Sequence, residues 1–280
     1  WGCAAATYSL AAIACVACDD NPVALSLDYD EFMAYSGKRS PSYSNGRLAC
    51  DEDGRILAAE WDIGIDHGAY NELGDDIITR PARFTFFPYN VPNAMGLCRV
   101  AATSHAYGTA YRGYGSPQSY TCSEALIDMM AEKLGMDAFE FRWINIAREG
   151  DLNLNSHTYI DYPMESMMKK MKPIYEKTCE HARKTGTPEK PRGVGIAWGG
   201  YNVTEGAGDE CSIAMELMPD GRIAKYDTWE DQGQGGDSGS LQCTLEALKP
   251  LGVSKDDILL IQNDTKYCPN SGASASSRQH

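Results

Sequence analysis

The sequence lacks any long hydrophobic run. Its longest stretch of small apolar residues, Gly2 to Cys18, is broken by Thr7, Tyr8 and Ser9, and nothing reaches the length of a membrane-crossing helix. The same stretch has neither the basic start nor the cleavage pattern of a signal peptide, so a cytoplasmic home is expected. Cations are scarce: 25 Lys and Arg against 39 Asp and Glu give a formal net charge of −14. Nucleic acids and anionic membranes are bound by clustered cations, so neither is an expected partner. Histidines number only five. There is no G-x-S-x-G, no H-E-x-x-H and no carboxylate pair singled out by spacing, which argues against hydrolytic chemistry.

Cysteine is plentiful, yet its spacing is wrong for a metal. The only close pair among ten is Cys15 and Cys18. A zinc site needs a second pair or histidines at ligand spacing, and a plant-type iron–sulfur cluster needs C-x4-C-x2-C. The pair lies in an Ala-rich run, which reads as two small thiols one helical turn apart, and the remaining cysteines read as reduced packing residues.

At 280 residues the chain is long enough for one large domain or two smaller ones. Helices are expected over Ala4 to Cys18, Asp30 to Tyr35, Ser119 to Leu134, Phe139 to Ile146, Tyr162 to Lys184 and Asp237 to Leu248. Leu126, Met130 and Leu134 make a core stripe at i, i+4 spacing, and Pro173 removes a backbone donor from the longest helix. Strand character is expected at Val23 to Asp28, Val100 to Tyr107, Gly193 to Trp198, Glu210 to Met218 and Arg222 to Trp229. Tyr43 to Cys50 and Arg55 to Asp66 form a hairpin across an Asp-Gly turn. Strands and helices mixed in this way predict an α+β class, with mixed sheets and packed helices. The polar Gly/Pro linker Thr185 to Pro191 divides it into residues 1–187 and 188–280.

Three stretches carry candidate chemistry. Tyr111-Arg112-Gly113-Tyr114-Gly115-Ser116-Pro117-Gln118 is a tight loop between a strand and a helix. Its glycines allow close approach of a ligand, and Arg112 offers a planar fork of donors. Glu230 to Gly236 is a glycine-rich loop opening a helix, where backbone amides and the helix dipole favour an anion. Pro269 to Gln279 is rich in Ser, Gly and Ala, and reads either as a polar tail or as a close-range donor set for a pyrophosphate or pterin. His67 reads as a polar loop residue or a cavity wall, and the aromatic run Phe84, Phe86, Phe87 and Tyr89 as core or ligand wall.

Tyr111 to Gln118, followed by Ser123-Glu124-Ala125-Leu126-Ile127-Asp128, Phe141-Arg142, Asn145 and Arg148-Glu149-Gly150-Asp151, closely resembles the molybdenum hydroxylase family. That family comprises xanthine dehydrogenases and aldehyde oxidoreductases, whose large subunit carries F-R-G-x-G-x-P-Q before this same helix. The resemblance runs from about Pro22 to Gln279 and is strongest toward bacterial aldehyde oxidoreductases. Two departures stand out. Gln232 replaces a usual histidine in D-H-G-Q-G, and Ala and Ser replace proline and glycines in P-x-S-G-P-x-G-G-S-R-Q.

The resemblance implies molybdopterin, as a dinucleotide, carrying molybdenum with no direct protein ligand to the metal. It places Arg112 and Gly113 against the metal's oxygen or the pterin, with Tyr114 and Met95 bordering the substrate. Gln232, Gly233, Gln234 and Gly235, with Ser271, Gly272, Ser274, Ala275 and Ser276, would cradle the pterin and its phosphates. Met95 stands near where xanthine-type members have an arginine, which favours aldehydes, hydroxylated with water as oxygen source, over a purine or another N-heterocycle. The family's catalytic glutamate, in a G-V-G-E-like phrase, lies downstream of this chain, and its iron–sulfur cysteines are elsewhere. The implied partners are therefore the remainder of a molybdenum subunit, an iron–sulfur domain or subunit, a small-molecule aldehyde and a second copy in a homo-oligomer. A non-catalytic cofactor-binding or assembly module derived from the family is the alternative.

Overall fold

A hairpin supplies the first framework. The structure, a computed structural model, describes residues 3–70, 73–201, 211–231 and 233–271, with the side chains of residues 3–6 excepted. Strands β1 (Ser42–Cys50) and β2 (Ile56–Gly68) pair antiparallel. Their turn closes where expected: Asp51 N–H donates to the Arg55 carbonyl at 2.9 Å, Arg55 N–H donates to Asp51 Oδ1 at 2.7 Å, and Gly54 takes φ +82°. On β2, alternation puts Trp61, Ile63 and Ile65 on the buried face.

The third strand departs from expectation. β3 runs Ala94–Ala102 and pairs parallel with β2, so it begins and ends earlier than a strand over 100–107. A parallel neighbour needs a crossover, and residues 69–93 provide it. They carry the short helices α3 (Gly74–Ile77) and α4 (Thr79–Phe84) and the aromatic run. Phe84, Phe86 and Tyr89 are buried core residues. Within β3, Gly96 lies over Trp61, where an added Cβ would fall 2.2 Å from the indole.

Two further helices precede the sheet: α1 (Cys3–Ala17), and α2 (Tyr29–Tyr35), opened by a capping box between Asp28 and Glu31. Val23 to Asp28 belongs to no strand and is largely exposed. After β3 come α5 (Ser116–Leu134), α6 (Ala138–Asn145) and α7 (Met164–Thr185). Ile127 and Ala131 of α5 join Ile63, Phe86 and Phe141 in the main core. Met164 and Met168 of α7 pack with Phe139 and Trp198, while Met167 and Met171 face solvent.

A buried polar hub ties these parts together. Glu124 on α5 accepts from Tyr89 Oη at 2.6 Å, from Arg142 Nη2 and Nε at 2.9 and 3.1 Å, and from Trp198 N–H at 2.9 Å. Asn145 binds the Gly54 carbonyl and the Ile56 amide, fastening the hairpin turn to α6. Glu124, Arg142 and Asn145 all lie in the phrases that carried the family resemblance. Gly193 to Trp198 is therefore no strand: its Trp198 amide is taken by a carboxylate.

The chain forms two compact units, residues 1–201 and 202–280. The first extends beyond the 185–191 linker because Tyr120 Oη and the Gly200 backbone bond each other, as do Trp198 and Glu124. The second is a three-stranded sheet in the order β4 (Ala214–Leu217), β5 (Ile223–Asp227), β6 (Ile258–Gln262), with α8 (Gly236–Leu248) between β5 and β6. The parallel strand β6 was not anticipated. Helices and mixed sheets confirm the α+β class.

Candidate functional site

In the first unit, the loop ahead of α5 is a tight turn. Tyr114 N–H donates to the Tyr111 carbonyl at 2.7 Å, leaving Arg112 and Gly113 at the tip, both exposed. Gly113 has φ +91°, the value that the second central residue of a type II turn requires. Tyr114 at φ +45° and Gly115 at φ +92° continue the left-handed run. A non-glycine residue held there costs about 1–3 kcal/mol and persists only when its surroundings over-determine it.

Those surroundings are specific. The Arg80 guanidinium lies 5.5 Å from the Tyr114 ring centroid. Burial raises the Tyr114 hydroxyl above its ordinary pKa, and a hydrogen bond to Asp76 raises it further, so the phenol stays protonated. On the other shoulder, the Arg39 guanidinium lies 4.7 Å from the Tyr111 ring centroid and Arg39 Nη2 donates to the Arg112 carbonyl. None of Arg39, Asp76 and Arg80 stood out in the sequence.

Where α5 begins, two buried side-chain oxygens, Ser116 Oγ and Gln118 Oε1, have no hydrogen-bond partner. Gln118 Nε2 is anchored on the Ser40 carbonyl at 3.3 Å, and Ser40 Oγ meets His67 Nδ1 at 2.9 Å. His67 is thus a buried, hydrogen-bonded residue, packed against Gly108, where an added Cβ would lie 2.7 Å from its Nδ1. Met95 stands apart. It is 65% exposed near the start of β3, about 23 Å along the strand from Ala102 at ~3.3 Å per residue. Ala102 pairs with Gly68, at the end of the sheet nearer the turn.

In the second unit, the loop opening α8 is arranged differently from its sequence reading. Gly233 N–H donates to Asp231 Oδ1 at 2.8 Å, Gly235 N–H to the same oxygen at 3.3 Å, and Asp237 N–H to Oδ2 at 3.4 Å. The anion in this amide nest is the chain's own carboxylate. These amides, Gly233 foremost, hold Asp231 below the usual carboxylate pKa. Gln234 Nε2 donates to the Glu230 carbonyl at 2.7 Å.

Behind that loop sits a second buried hub. Lys225 Nζ lies 2.6 Å from Asp227 Oδ2, Ser240 Oγ donates to the same oxygen at 2.6 Å, and Gln262 Nε2 donates to Oδ1 at 2.9 Å. Burial alone would raise the Asp227 pKa, but these donors outweigh it and lower it. Ser271 is also buried, with its hydroxyl donated to the Ser212 carbonyl at 2.7 Å. Gln232, Gly272, Ser274, Ala275 and Ser276 lie outside the described residues. Among the described residues, no cluster of three or more His, Cys, Asp or Glu is placed to hold a metal ion. Nor is any described helix long and apolar enough to cross a membrane.

An arginine-tipped glycine turn beside two unpartnered buried oxygens offers both donors and acceptors to a polar ligand. Sequence comparison gives the class of that ligand. The profile of the molybdopterin cofactor-binding domain matches residues 2–146, and a second of the same description matches residues 168–280. The chain belongs to the molybdenum hydroxylase family. It is 42% identical over 271 residues to the aldehyde oxidoreductase of Megalodesulfovibrio gigas, covering 97% of this chain and 30% of that one. It is 25% identical over 266 residues to the xanthine dehydrogenase of Dictyostelium discoideum, covering 91% and 19%. The crystal structure of the aldehyde oxidoreductase from Desulfovibrio desulfuricans superposes with a TM-score of 0.81 at 42% identity, over 96% of this chain and 30% of that one. The chain thus spans less than a third of the length of these relatives.

Proposed function

We propose that this chain is the molybdopterin-binding part of a molybdenum hydroxylase that oxidises aldehydes to carboxylic acids. The observation that carries the reading is the 111–118 turn. Its exposed Arg112 and Gly113 suit an oxygen-bearing group, while its two unpartnered buried oxygens, Ser116 Oγ as donor or acceptor and Gln118 Oε1 as acceptor, suit a group that also carries N–H donors, and the 42% identity to an aldehyde oxidoreductase supports the substrate class.

When bound, the molybdenum–pterin group supplies hydroxylation with water as oxygen source. Arg112 would hold its oxygen-bearing side through the planar fork of donors of its guanidinium. Gly113 would let the backbone approach closely, since it carries no Cβ. Tyr114, kept protonated by burial and by Asp76, would line the substrate side as a neutral hydrogen-bonding wall and not as a base. Gln232, Gly233, Gln234 and Gly235, together with Ser271, Gly272, Ser274, Ala275 and Ser276, are proposed to contact the pterin, in its dinucleotide form. Because the Gly233 and Gly235 amides are bonded to Asp231 and Gln234 Nε2 to the Glu230 carbonyl, contact of this loop with the pterin would require these bonds to be exchanged for it. Met95, exposed near the start of β3, is proposed to border the substrate from outside the turn.

The chain is proposed to divide in sequence into a first molybdopterin-binding part, 1–187, and the start of a second, 188–280, with residues 188–201 packed in the first compact unit. The rest of the molybdenum subunit and an iron–sulfur domain or subunit would complete a cytoplasmic homo-oligomeric enzyme. The test is metal analysis and assay of the native protein. Molybdenum in proportion to protein, with turnover of aldehydes, supports the reading. Turnover of purines but not aldehydes overturns the substrate class, and a native protein without molybdenum overturns the cofactor.

A further inference from the structure

We infer that Arg39 and Arg80 are positioning residues for the turn that presents Arg112 and Gly113. The inference rests on the reading of that turn as facing the cofactor. The two residues flanking the tip are tyrosines, and each carries a guanidinium on its ring: Arg39 on Tyr111 at 4.7 Å and Arg80 on Tyr114 at 5.5 Å. Arg39 comes from the segment ahead of β1 and Arg80 from α4, so the shoulders are gripped from two unrelated parts of the first unit. Arg39 does more than stack, since its Nη2 also donates to the carbonyl of Arg112, the residue it would orient.

The turn has a reason to need such holding. Gly113, Tyr114 and Gly115 occupy the left-handed region in succession, and Tyr114 is a residue that rarely does so. Left alone, the segment would relax to commoner backbone angles and swing Arg112 away. Arg39 combines a planar face against a ring with an in-plane donor to a carbonyl, and lysine can reproduce only the charge.

The test needs a readout besides turnover, and the turn supplies one: Arg112–Gly113 is an exposed bond of the type that trypsin cuts. Native protein carrying Arg39→Lys or Arg39→Gln is compared with wild type by fragment mass during brief trypsin exposure, by melting temperature and by molybdenum per chain. With melting unchanged, cleavage after Arg112 is expected to accelerate about tenfold in both variants, as local opening becomes easier. Molybdenum content is expected to fall about threefold as the presented geometry is lost. Should Arg39→Gln fail to fold, Arg39→Lys carries the test. Unchanged cleavage after Arg112, or an equal acceleration at every site, overturns the inference. Faster local cleavage with wild-type molybdenum content overturns the positioning role. A wild-type protein devoid of molybdenum overturns the cofactor reading instead, and the cleavage rates still decide whether the arginine holds the turn.

Discussion

Glu124 and Arg142 form the buried joint of the first unit: Arg142 has a side chain 0% exposed and binds Glu124 through two nitrogens, at 2.9 and 3.1 Å. The carboxylate also takes the Tyr89 hydroxyl and the Trp198 amide, so one side chain fastens α5 to α6, to the aromatic run and to the segment that closes the unit.

Glu124→Gln should therefore destabilise the protein by about 3–5 kcal/mol, the range for breaking one side of a buried ion pair. Denaturant unfolding measures it. A loss below about 1 kcal/mol would show that Asp128, which also binds Arg142 at 2.7 Å, compensates the charge.

Gly96→Ala should cost about 1–3 kcal/mol, because its methyl would enter the Trp61 indole and overpack a rigid ring. Thermal melting with tryptophan fluorescence reports both stability and the ring's displacement. No change in either would mean that β3 shifts away at no expense.

Arg112→Lys and Arg112→Gln should leave the melting temperature within about 2 °C, since exposed side chains contribute little to stability. Molybdenum content is expected to fall about tenfold in the glutamine variant, and less in the lysine variant, which keeps the charge but not the fork. Equal content in all three proteins would remove Arg112 from the cofactor set.

The Asp231 carboxyl should titrate below its ordinary value of 3.8, as its bonds from Gly233, Asp237, Gly235 and Gly236 favour the charged form. A depressed folded pKa contributes stability above the unfolded pKa, and that contribution is lost as pH falls through the folded value. The Gly233 and Gly235 amide resonances should thus hold steady from neutral pH down and move together only below 3.8. A midpoint at or above 3.8 would place the carboxylate outside the nest.

Much of the frame could be read from residue patterns with local causes. The hairpin announced itself through Asp51 to Gly54, and α5 through a stripe at helical spacing, since both depend on neighbours in sequence. The parallel strands β3 and β6 did not announce themselves. Ala94–Ala102 is mostly apolar but interrupted by Gly96 and Arg99, without the alternation of a half-buried strand, and Ile258–Gln262 has no hairpin partner beside it in the chain. The site divides the same way. Arg112 and Gly113 stood out through their motif, whereas Arg39, 73 residues distant, gave no signal until folding brought it to the turn. Asp231 was in plain view, but only the backbone shows that its carboxylate turns back into the loop.

That turning back has an electrical consequence. A bare helix start presents a fractional positive pole, and ligands drawn to it feel the salt around them. At α8 the pole is already compensated by a fixed carboxylate, so a phosphate-bearing molecule meets little long-range pull there. Its capture at this loop would depend on shape and side-chain hydrogen bonds, not on attraction to the helix start.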